Sequence, residues 1–598
     1  MIIQSLQFPN LNLCSEEEMY FRRKNDRTAL DLKRHEITFK INGRVSFDTY
    51  FNSFSIEKWM RYTILDSVSL QIETKGIFRL TIFNIEKNGI SISKKELVIQ
   101  TISSNSQFKT TIKIGDVGKS GIYTFLLEAL SDDAIYYGGA YISEIVINTL
   151  PQIELALDIC TYHKEEYLLR NIELLKNSIL ENPLSPLYNH LMVFIVDNGQ
   201  TLNKKTIETK NIFLYTQGDF GASGGFTRGI LEILNKKEEL NLTHLIIMDD
   251  DVLYNQNLLE MTYMWLRLLK VEYQHSFLGG ANFRLDQRFL QSEAGALWNY
   301  GRPIAAKCGR DMRQLTNVLD NEVEVPIDYC AFCYLCLPLS EVSEQTLPMP
   351  MFMKRDDQDF CLRNCKKMIT LNGISVWHES VDYKYYSALE YYILRNRCII
   401  NARYYGKYPE SLYKDYVKPK LWATLCRYRY KDAHLICKAI EDFCKGVDWF
   451  KTLDGELSFE ELNAKGYHKS PLDQLSIKYS EKALRASIDY GKKLQRTRKC
   501  NITRNGWLFP SKYTRVLPMF NPPVSALYRA KYVLYVDKDL KNGYITKKSY
   551  LGLISVICHI AKMRLVLVIS YNKAVREFAT RYPEFTNKDY WNSYLKIK

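Results

Sequence analysis

The sequence predicts a multidomain α/β plus all-β chain: a jelly-roll-like N-terminal β-sandwich over residues 1–150, an alternating α/β domain over 151–400, and a basic, mainly helical C-terminal domain over 401–598. Three observations carry this. Apolar residues alternate with period two up to about Ile147, strand and helix patterns alternate after Pro151, and long helical segments rich in Tyr, Lys and Arg follow Tyr385. A chain of 598 residues is also too long for one hydrophobic core.

The β-region opens at Ile37. The segments ITFKI, VSFDTYF, YTILDSVSLQI, GIFRLTIFNI, ELVIQTI, FKTTIKI and GIYTFLLEAL each place apolar side chains on one face, as Phe78, Leu80 and Ile82 do in the fourth. Asn42-Gly43, Lys75-Gly76, Asn88-Gly89 and Ser120-Gly121 supply turn chemistry between them. In the α/β region, Ile153–Ile159, Leu191–Val196, Ile212–Tyr215 and His244–Met248 read as buried strands. Glu165–Leu180 and Gly224–Leu234 read as helices. This alternation implies a parallel sheet covered by helices, with ligands beyond the carboxyl ends of the strands.

In the last third, Asn505–Pro523 holds four prolines and reads as a loop, and Thr546–Arg564 and Asn572–Thr580 read as a final helix pair. The apolar window Tyr550–Ile569 is interrupted by His559, Lys562 and Arg564, so it reads as a packed helix and not as a membrane span. The first residues, MIIQSLQFPN, show no secretory pattern, which sets the expectation of a cytoplasmic chain, and the fourteen Cys are expected to be reduced.

Charge is unevenly distributed. Residues 401–598 carry 38 Lys+Arg against 18 Asp+Glu, a net +20, whereas residues 1–400 carry 43 against 49, a net −6. The protein as a whole is therefore not a polyanion binder and no nucleic-acid partner is expected. Arg496, Arg498, Lys499, Arg504, Lys512 and Arg515, interleaved with Trp507, Phe509 and Tyr513, suit a peripheral contact with an anionic membrane surface.

Several strand ends concentrate chemistry. His244–Met248 runs into Asp249-Asp250-Asp251, where residues two apart face the same way, so Asp249 and Asp251 converge on a hard-oxygen site for Mg²⁺ or Mn²⁺; an acidic helix cap is the competing explanation. The run GDFGASGGFTRG, residues 218–229, opens a helix whose free N–H groups favour an anion, although it lacks the Lys-Ser/Thr ending of a Walker loop. Lys164 could reach a phosphate and Asp197 a base or ribose edge, against a helix cap and an Asx turn as structural roles. Asp356, Asp357 and Asp359 crowd a helix start, where a shielded carboxylate can deprotonate a hydroxyl. His378 supplies an imidazole. Cys330-x-x-Cys333-x-x-Cys336 lacks the fourth Cys of an iron–sulfur run and reads as core.

The order of VDNG, GDFGASGGFTRG, LIIMDDDV, KRDDQDF and VWH resembles that of the family 2 glycosyltransferases with a GT-A, Rossmann-like fold, in particular the mycobacterial galactofuranosyltransferases of cell-wall galactan. The resemblance implies an inverting, metal-dependent transfer from a UDP-sugar, UDP-galactofuranose, to a growing cell-surface glycan; the basic C-terminal third adds the expectation of a lipid-linked acceptor met at the inner face of the cell membrane, and a homo-oligomer is a further expected partner. The resemblance assigns Asp249, Asp251 and His378 to the metal, Mn²⁺ or Mg²⁺, and Asp357 to the general base. Lys164, Asp197, Asp219 and Asp250 fall on the donor side, and Glu293, Phe332, Asp356 and Asp359 on the acceptor side. The chain departs from that family where Phe332-Cys333 replaces a tryptophan pair and Arg355 replaces a tryptophan before the Asp pair. Two other functions are compatible with the residues: transfer of a different nucleotide sugar, and non-catalytic glycan binding through the β-domain.

Overall fold

The computed structural model describes residues 1–597 apart from 116–119, 381–384, 406–412, 478, 480–483, 485–502 and 504. The chain divides into two compact units. One comprises Met1–Gly218, Gly225–Leu347 and Phe360–Glu379, and the other Asp219–Gly224, Pro348–Asp359 and Ser380–Lys598.

In the first unit, nine antiparallel strands form one continuous hydrogen-bonded sheet that curls into a near-closed barrel. A sandwich of two separate sheets is thus not what forms, and the reason lies in one strand. Val68–Asn88 absorbs two of the predicted segments, pairing with Ser91–Ile114 along its length, with Ala134–Ile142 over its first half and with Ile122–Ala129 over its second. It bends where the sequence suggests a turn, at Gly76, whose φ of 98° and register shift mark the corner. A Cβ there would lie 2.7 Å from that of Ala134, so the corner excludes a side chain. The two flaps then face each other: the rings of Phe39 and Phe78 meet edge-on at 5.1 Å, and those of Phe47 and Tyr136 at 5.1 Å. Asn42-Gly43, Asn88-Gly89 and Gly121 do turn the chain, with positive φ at Asn42, Gly89 and Gly121.

The same unit contains a mixed α/β sheet. Its strands lie in the order Ile212–Thr216, Leu191–Asp197, Leu155–Thr161, His244–Asp249, Leu335–Pro338, Phe277–Arg284, Leu290–Glu293 and Arg310–Asp311, with Met368–His378 paired parallel to Phe277–Arg284. The first four are mutually parallel, as the alternating pattern implies. The first three run outward in sequence order, and His244–Asp249 then adds on the other side of Leu155–Thr161. Strand order therefore reverses between Thr161 and Asp249, and such a reversal opens a crevice at the carboxyl ends of the two strands. One continuous core joins barrel and sheet, with Trp59 meeting Trp265 at 4.8 Å and Phe51 meeting Trp377 at 5.7 Å.

The glycine-rich run forms the start of the helix Gly221–Lys236. A Cβ at Gly225 would fall 2.0 Å from Cys160 Sγ, and one at Gly229 would fall 1.9 Å from Asp158 Oδ1. These two glycines let the helix lie directly on the strand Leu155–Thr161. Asp158 is fully buried beneath it with neither carboxylate oxygen hydrogen-bonded, and burial raises its pKa well above the usual aspartate value.

His244, first residue of its strand, is buried, and burial depresses its imidazole pKa from 6.5 to about 4. Between these values the unfolded chain binds the proton and the folded chain does not, so stability is fully present above pH 6.5 and falls as the pH drops toward 4, by about 3 kcal/mol at most. Urea unfolding of wild type and His244→Gln across that window should show a steeper acid loss in the wild type; parallel curves would contradict it.

The second unit is built on the helices Ala388–Tyr404, Lys418–Cys426, Tyr430–Phe443 and Gly455–Ala464. It also holds a four-stranded sheet, in the order Ser470–Pro471, Asn542–Lys547, Ala530–Val536, Tyr513–Pro518. The proline-rich interval read as loop thus contributes an edge strand, the place in a sheet that tolerates proline. The expected final helix pair is one helix, Tyr550–Arg581, and it is only half packed. Val556, Met563, Tyr571 and Phe578 are buried, Phe443 stacking on Phe578 at 5.2 Å. Leu551, Leu565, Val568 and Ile569 stay 62–82% exposed. By length and composition this helix could cross a membrane, and only 17% of its most apolar window is buried. Of the basic cluster, Arg496, Arg498, Lys499 and Arg504 lie outside the described residues. Lys512 is exposed, and the Arg515 guanidinium lies 5.1 Å from the Tyr513 ring.

Candidate metal centre

The carboxylate triplet and the imidazole meet because a short bridge clamps their strands. Leu253 and Trp377 exchange backbone hydrogen bonds of 2.8 Å in each direction, and the Trp377 indole donates to the Arg288 carbonyl at 2.8 Å. Asp251, two residues before one end of the clamp, and His378, one residue after the other, are thereby brought together. His378 Nε2 lies 3.1 Å from Asp251 Oδ1 and 3.8 Å from Asp249 Oδ2. Asp249 and Asp251 converge on the imidazole at the point of strand reversal, as their i, i+2 spacing implies.

A fourth group joins them that the sequence places in the core. The Cys333 thiol donates to Asp249 Oδ2 at 3.2 Å, and Asp249, Cys333 and His378 offer ligand atoms that all lie within 4.8 Å of one another. A carboxylate, a thiol and an imidazole make a donor set that fits a divalent cation, and the Asp251 carboxylate lies against the same imidazole. Asp250 is buried beside them. Burial, reinforced by the charges of Asp251 and Asp249, raises its pKa to about 7 against the opposing influence of the nearby Thr161 hydroxyl and the charge of Lys164. The Lys164 ammonium is 3.9 Å from Asp251 Oδ2.

The remaining expected residues of this unit have structural partners. Asp197 is fully buried and accepts from the backbone N–H of Gly199 at 2.9 Å and of Leu202 at 2.8 Å, so the Asx-turn role is realised. Glu293 is half-buried and accepts from the Asn282 amide at 3.4 Å. Phe332 is buried between the rings of Phe226 and Phe360, at 5.3 Å and 5.9 Å.

In the second unit, Asp219 accepts from the Gly221 N–H at 2.9 Å, capping the turn into its helix. Asp356 and Asp359 are buried and Asp357 is half-buried in the first turn of the helix Asp356–Asn364, with Asp357 Oδ1 2.8 Å from the Gln358 N–H. The loop before them is strained: Phe352, Lys354 and Arg355 have φ of 68°, 63° and 76°. Arg355, in place of an aromatic, donates Nε to the Ile393 carbonyl at 3.0 Å and Nη1 to Gln358 Oε1 at 2.6 Å. Asn396 Nδ2 holds the same loop through the carbonyls of Met353 and Lys354, at 2.9 Å and 2.8 Å.

Comparison with known proteins points to sugar transfer. The family model described as "Galactofuranosyltransferase 2 N-terminal" matches residues 14–142. The galactofuranosyltransferase GlfT2 of Mycobacterium tuberculosis is 22% identical over 467 residues, covering 71% of this chain and 69% of that protein. GlfT2 of Mycolicibacterium smegmatis is 21% identical over 459 residues, covering 71% and 67%. Among solved structures, the carbohydrate-binding module CBM6cm-2 of Cellvibrio mixtus lichenase 5A covers 24% of this chain and 100% of the module, at 10% identity and a TM-score of 0.15 that is too low to bear on fold. The chain is thus a distant homologue of glycosyltransferases, and the homology and the candidate metal cluster support transferase activity in general terms. Its particular likeness, at the level of family resemblance, is to the GlfT2-type galactofuranosyltransferases.

Proposed function

We propose that this protein is an inverting, metal-dependent glycosyltransferase of GT-A type that moves galactofuranose from UDP-galactofuranose to a growing, lipid-linked cell-surface glycan. The observation that carries the proposal is the convergence of Asp249, Asp251 and His378 at the strand reversal of the α/β sheet. These residues would hold Mn²⁺ or Mg²⁺, and a bound cation supplies charge neutralisation for a departing diphosphate. Lys164, beside Asp251, adds positive charge for the same phosphates. Asp197, Asp219 and Asp250 serve the donor side, Asp197 and Asp219 by shaping turns and Asp250 as a buried acid.

Asp357 takes the proton of the acceptor hydroxyl as that oxygen bonds to the anomeric carbon and the bond to the diphosphate breaks, which inverts the configuration. Glu293, Phe332, Asp356 and Asp359 belong to the acceptor side, Phe332 by supporting the turn that carries Cys333 and not by direct stacking. Residues 1–150, 151–400 and 401–598 serve as glycan-side β-domain, catalytic domain and membrane-side domain. The exposed apolar face of Tyr550–Arg581 and the basic excess of the last third suit a peripheral contact with the anionic cytoplasmic face of a membrane.

Purified full-length protein offered a panel of UDP- and dTDP-sugars with a short galactofuranoside acceptor and Mn²⁺ should release UDP and extend the acceptor from UDP-galactofuranose. Preference for another donor would correct the sugar. No nucleotide release from any donor would leave a glycan-binding protein instead.

A further inference from the structure

We propose that Cys333 is a thiolate ligand of the metal centre and makes the site select Zn²⁺-class cations over Mg²⁺ and Mn²⁺; this rests on the reading of Asp249, Asp251 and His378 as metal ligands. The placement follows from register. The strand Leu335–Pro338 runs antiparallel to His244–Asp249, with Leu245 opposite Leu337, Ile246 opposite Cys336 and Ile247 opposite Leu335. Continued two residues outward, the same register sets Cys333 opposite Asp249. Cys333 thus stands at the open end of the strand pair, where Asp249 itself leaves the sheet.

The other two cysteines of the run do not share this position. Cys336 is inside the sheet, fully buried, its thiol pKa raised by burial. Cys330 lies against Gly279, where an added Cβ would come within 2.0 Å of its sulfur. The middle cysteine is the one seen to reach a carboxylate among the described residues, that of Asp249. The buried Phe332 ring, fixed between Phe226 and Phe360, pins the turn that presents it.

The spacing of the Asp249, Cys333 and His378 donor atoms suits a small cation. With Zn–S of about 2.3 Å and Zn–N or Zn–O of about 2.0 Å, the donors of a tetrahedral site lie about 3.3 Å apart for nitrogen and oxygen pairs and about 3.5 Å for sulfur with either. Here Cys333 Sγ and Asp249 Oδ2 are 3.2 Å apart, and His378 Nε2 stands 3.1 Å and 3.8 Å from the Asp251 and Asp249 oxygens. As the sulfur–metal bond forms, the thiol proton now shared with Asp249 passes to solvent. A thiolate and an imidazole beside two carboxylates favour Zn²⁺, Cd²⁺ and Co²⁺; Mg²⁺ gains little from a sulfur donor.

Metal titrations of the full-length protein with UDP present test this. Co²⁺ should raise a near-ultraviolet sulfur-to-cobalt charge-transfer band in wild type and in Cys558→Ser, and no such band in Cys333→Ser. Zn²⁺ affinity should fall about 100-fold in Cys333→Ser while Mn²⁺ affinity changes less than about threefold. Circular dichroism and the thermal midpoint of Cys333→Ser establish that it is folded, and Cys333→Ala serves if it is not. A wild type that binds Mn²⁺ through Asp249 but shows no sulfur band, or a Zn²⁺ affinity unchanged in the variants, overturns the role of Cys333 alone. Absence of any Mn²⁺, Co²⁺ or Zn²⁺ binding overturns the metal centre with it.

Discussion

Asp249→Asn is expected to abolish divalent-cation binding and to reduce sugar transfer by roughly 10³-fold at saturating donor, while leaving the protein folded and slightly more stable without metal. The loss of function follows from charge: asparagine keeps the size and one oxygen of the side chain but brings no anion to the cation, whose stabilisation of a leaving diphosphate contributes several kcal/mol, with about 1.4 kcal/mol per tenfold in rate. The gain in stability has the opposite sign for a related reason. Asp249 and Asp251 both help to raise the pKa of buried Asp250, so three acids crowd one strand end and removing one charge relieves the repulsion. The partner groups stay in place, because the Leu253–Trp377 clamp that positions His378 does not involve the Asp249 side chain. Calorimetric Mn²⁺ titration with UDP, initial rates and thermal midpoints measure the three quantities. Metal-dependent turnover at the wild-type rate would remove Asp249 from the site.

Asp357→Asn is expected to lower kcat by about 10²–10⁴-fold, the range for loss of a general base, with metal-dependent UDP binding and the donor KM little changed. The local structure argues that the substitution is tolerated by the fold. Asp357 is half-buried and its Oδ1 accepts from the Gln358 N–H at 2.8 Å, which an asparagine oxygen can also do. The preceding loop argues that the position matters. Left-handed conformations at Phe352, Lys354 and Arg355 cost about 1–3 kcal/mol each in residues other than glycine. The loop keeps them because Asn396 Nδ2 donates to the carbonyls of Met353 and Lys354 and, at 3.3 Å, to that of Met351, which also accepts from Arg395 Nη2 at 3.0 Å. Such strain immediately before a carboxylate-bearing helix start supports the proposed role of Asp357, and in the sequence only the three closely spaced Asp hint at it. Initial rates that match wild type would take the base role from Asp357.

Much of the parallel sheet was legible because its strands are continuous apolar runs buried on both faces, and each helix between them carries a clear period. The barrel was legible only in part. Its alternation identifies strands, yet Lys75-Gly76 has the same composition whether it turns the chain back or bends one long strand, and the pairing of Val68–Asn88 with two different partners decides between them. Likewise the helix Tyr550–Arg581 has the composition of a packed helix, and which of its apolar residues find neighbours is set by the helices Ala388–Tyr404 and Tyr430–Phe443 that it packs against.

At the site, the i, i+2 spacing offered Asp249 and Asp251 as a pair that can converge, and in the structure both lie against His378 although Asp251 stands in the turn beyond the strand His244–Asp249. The sequence also singled out His378 by its place after an apolar strand. Tertiary structure alone decided that Cys333 joins them. Its position depends on the antiparallel register of Leu335–Pro338 with His244–Asp249, a pairing between segments more than eighty residues apart. Local periodicity carries no record of such pairing, and the same buried cysteine reads from sequence as one more small apolar side chain of the core.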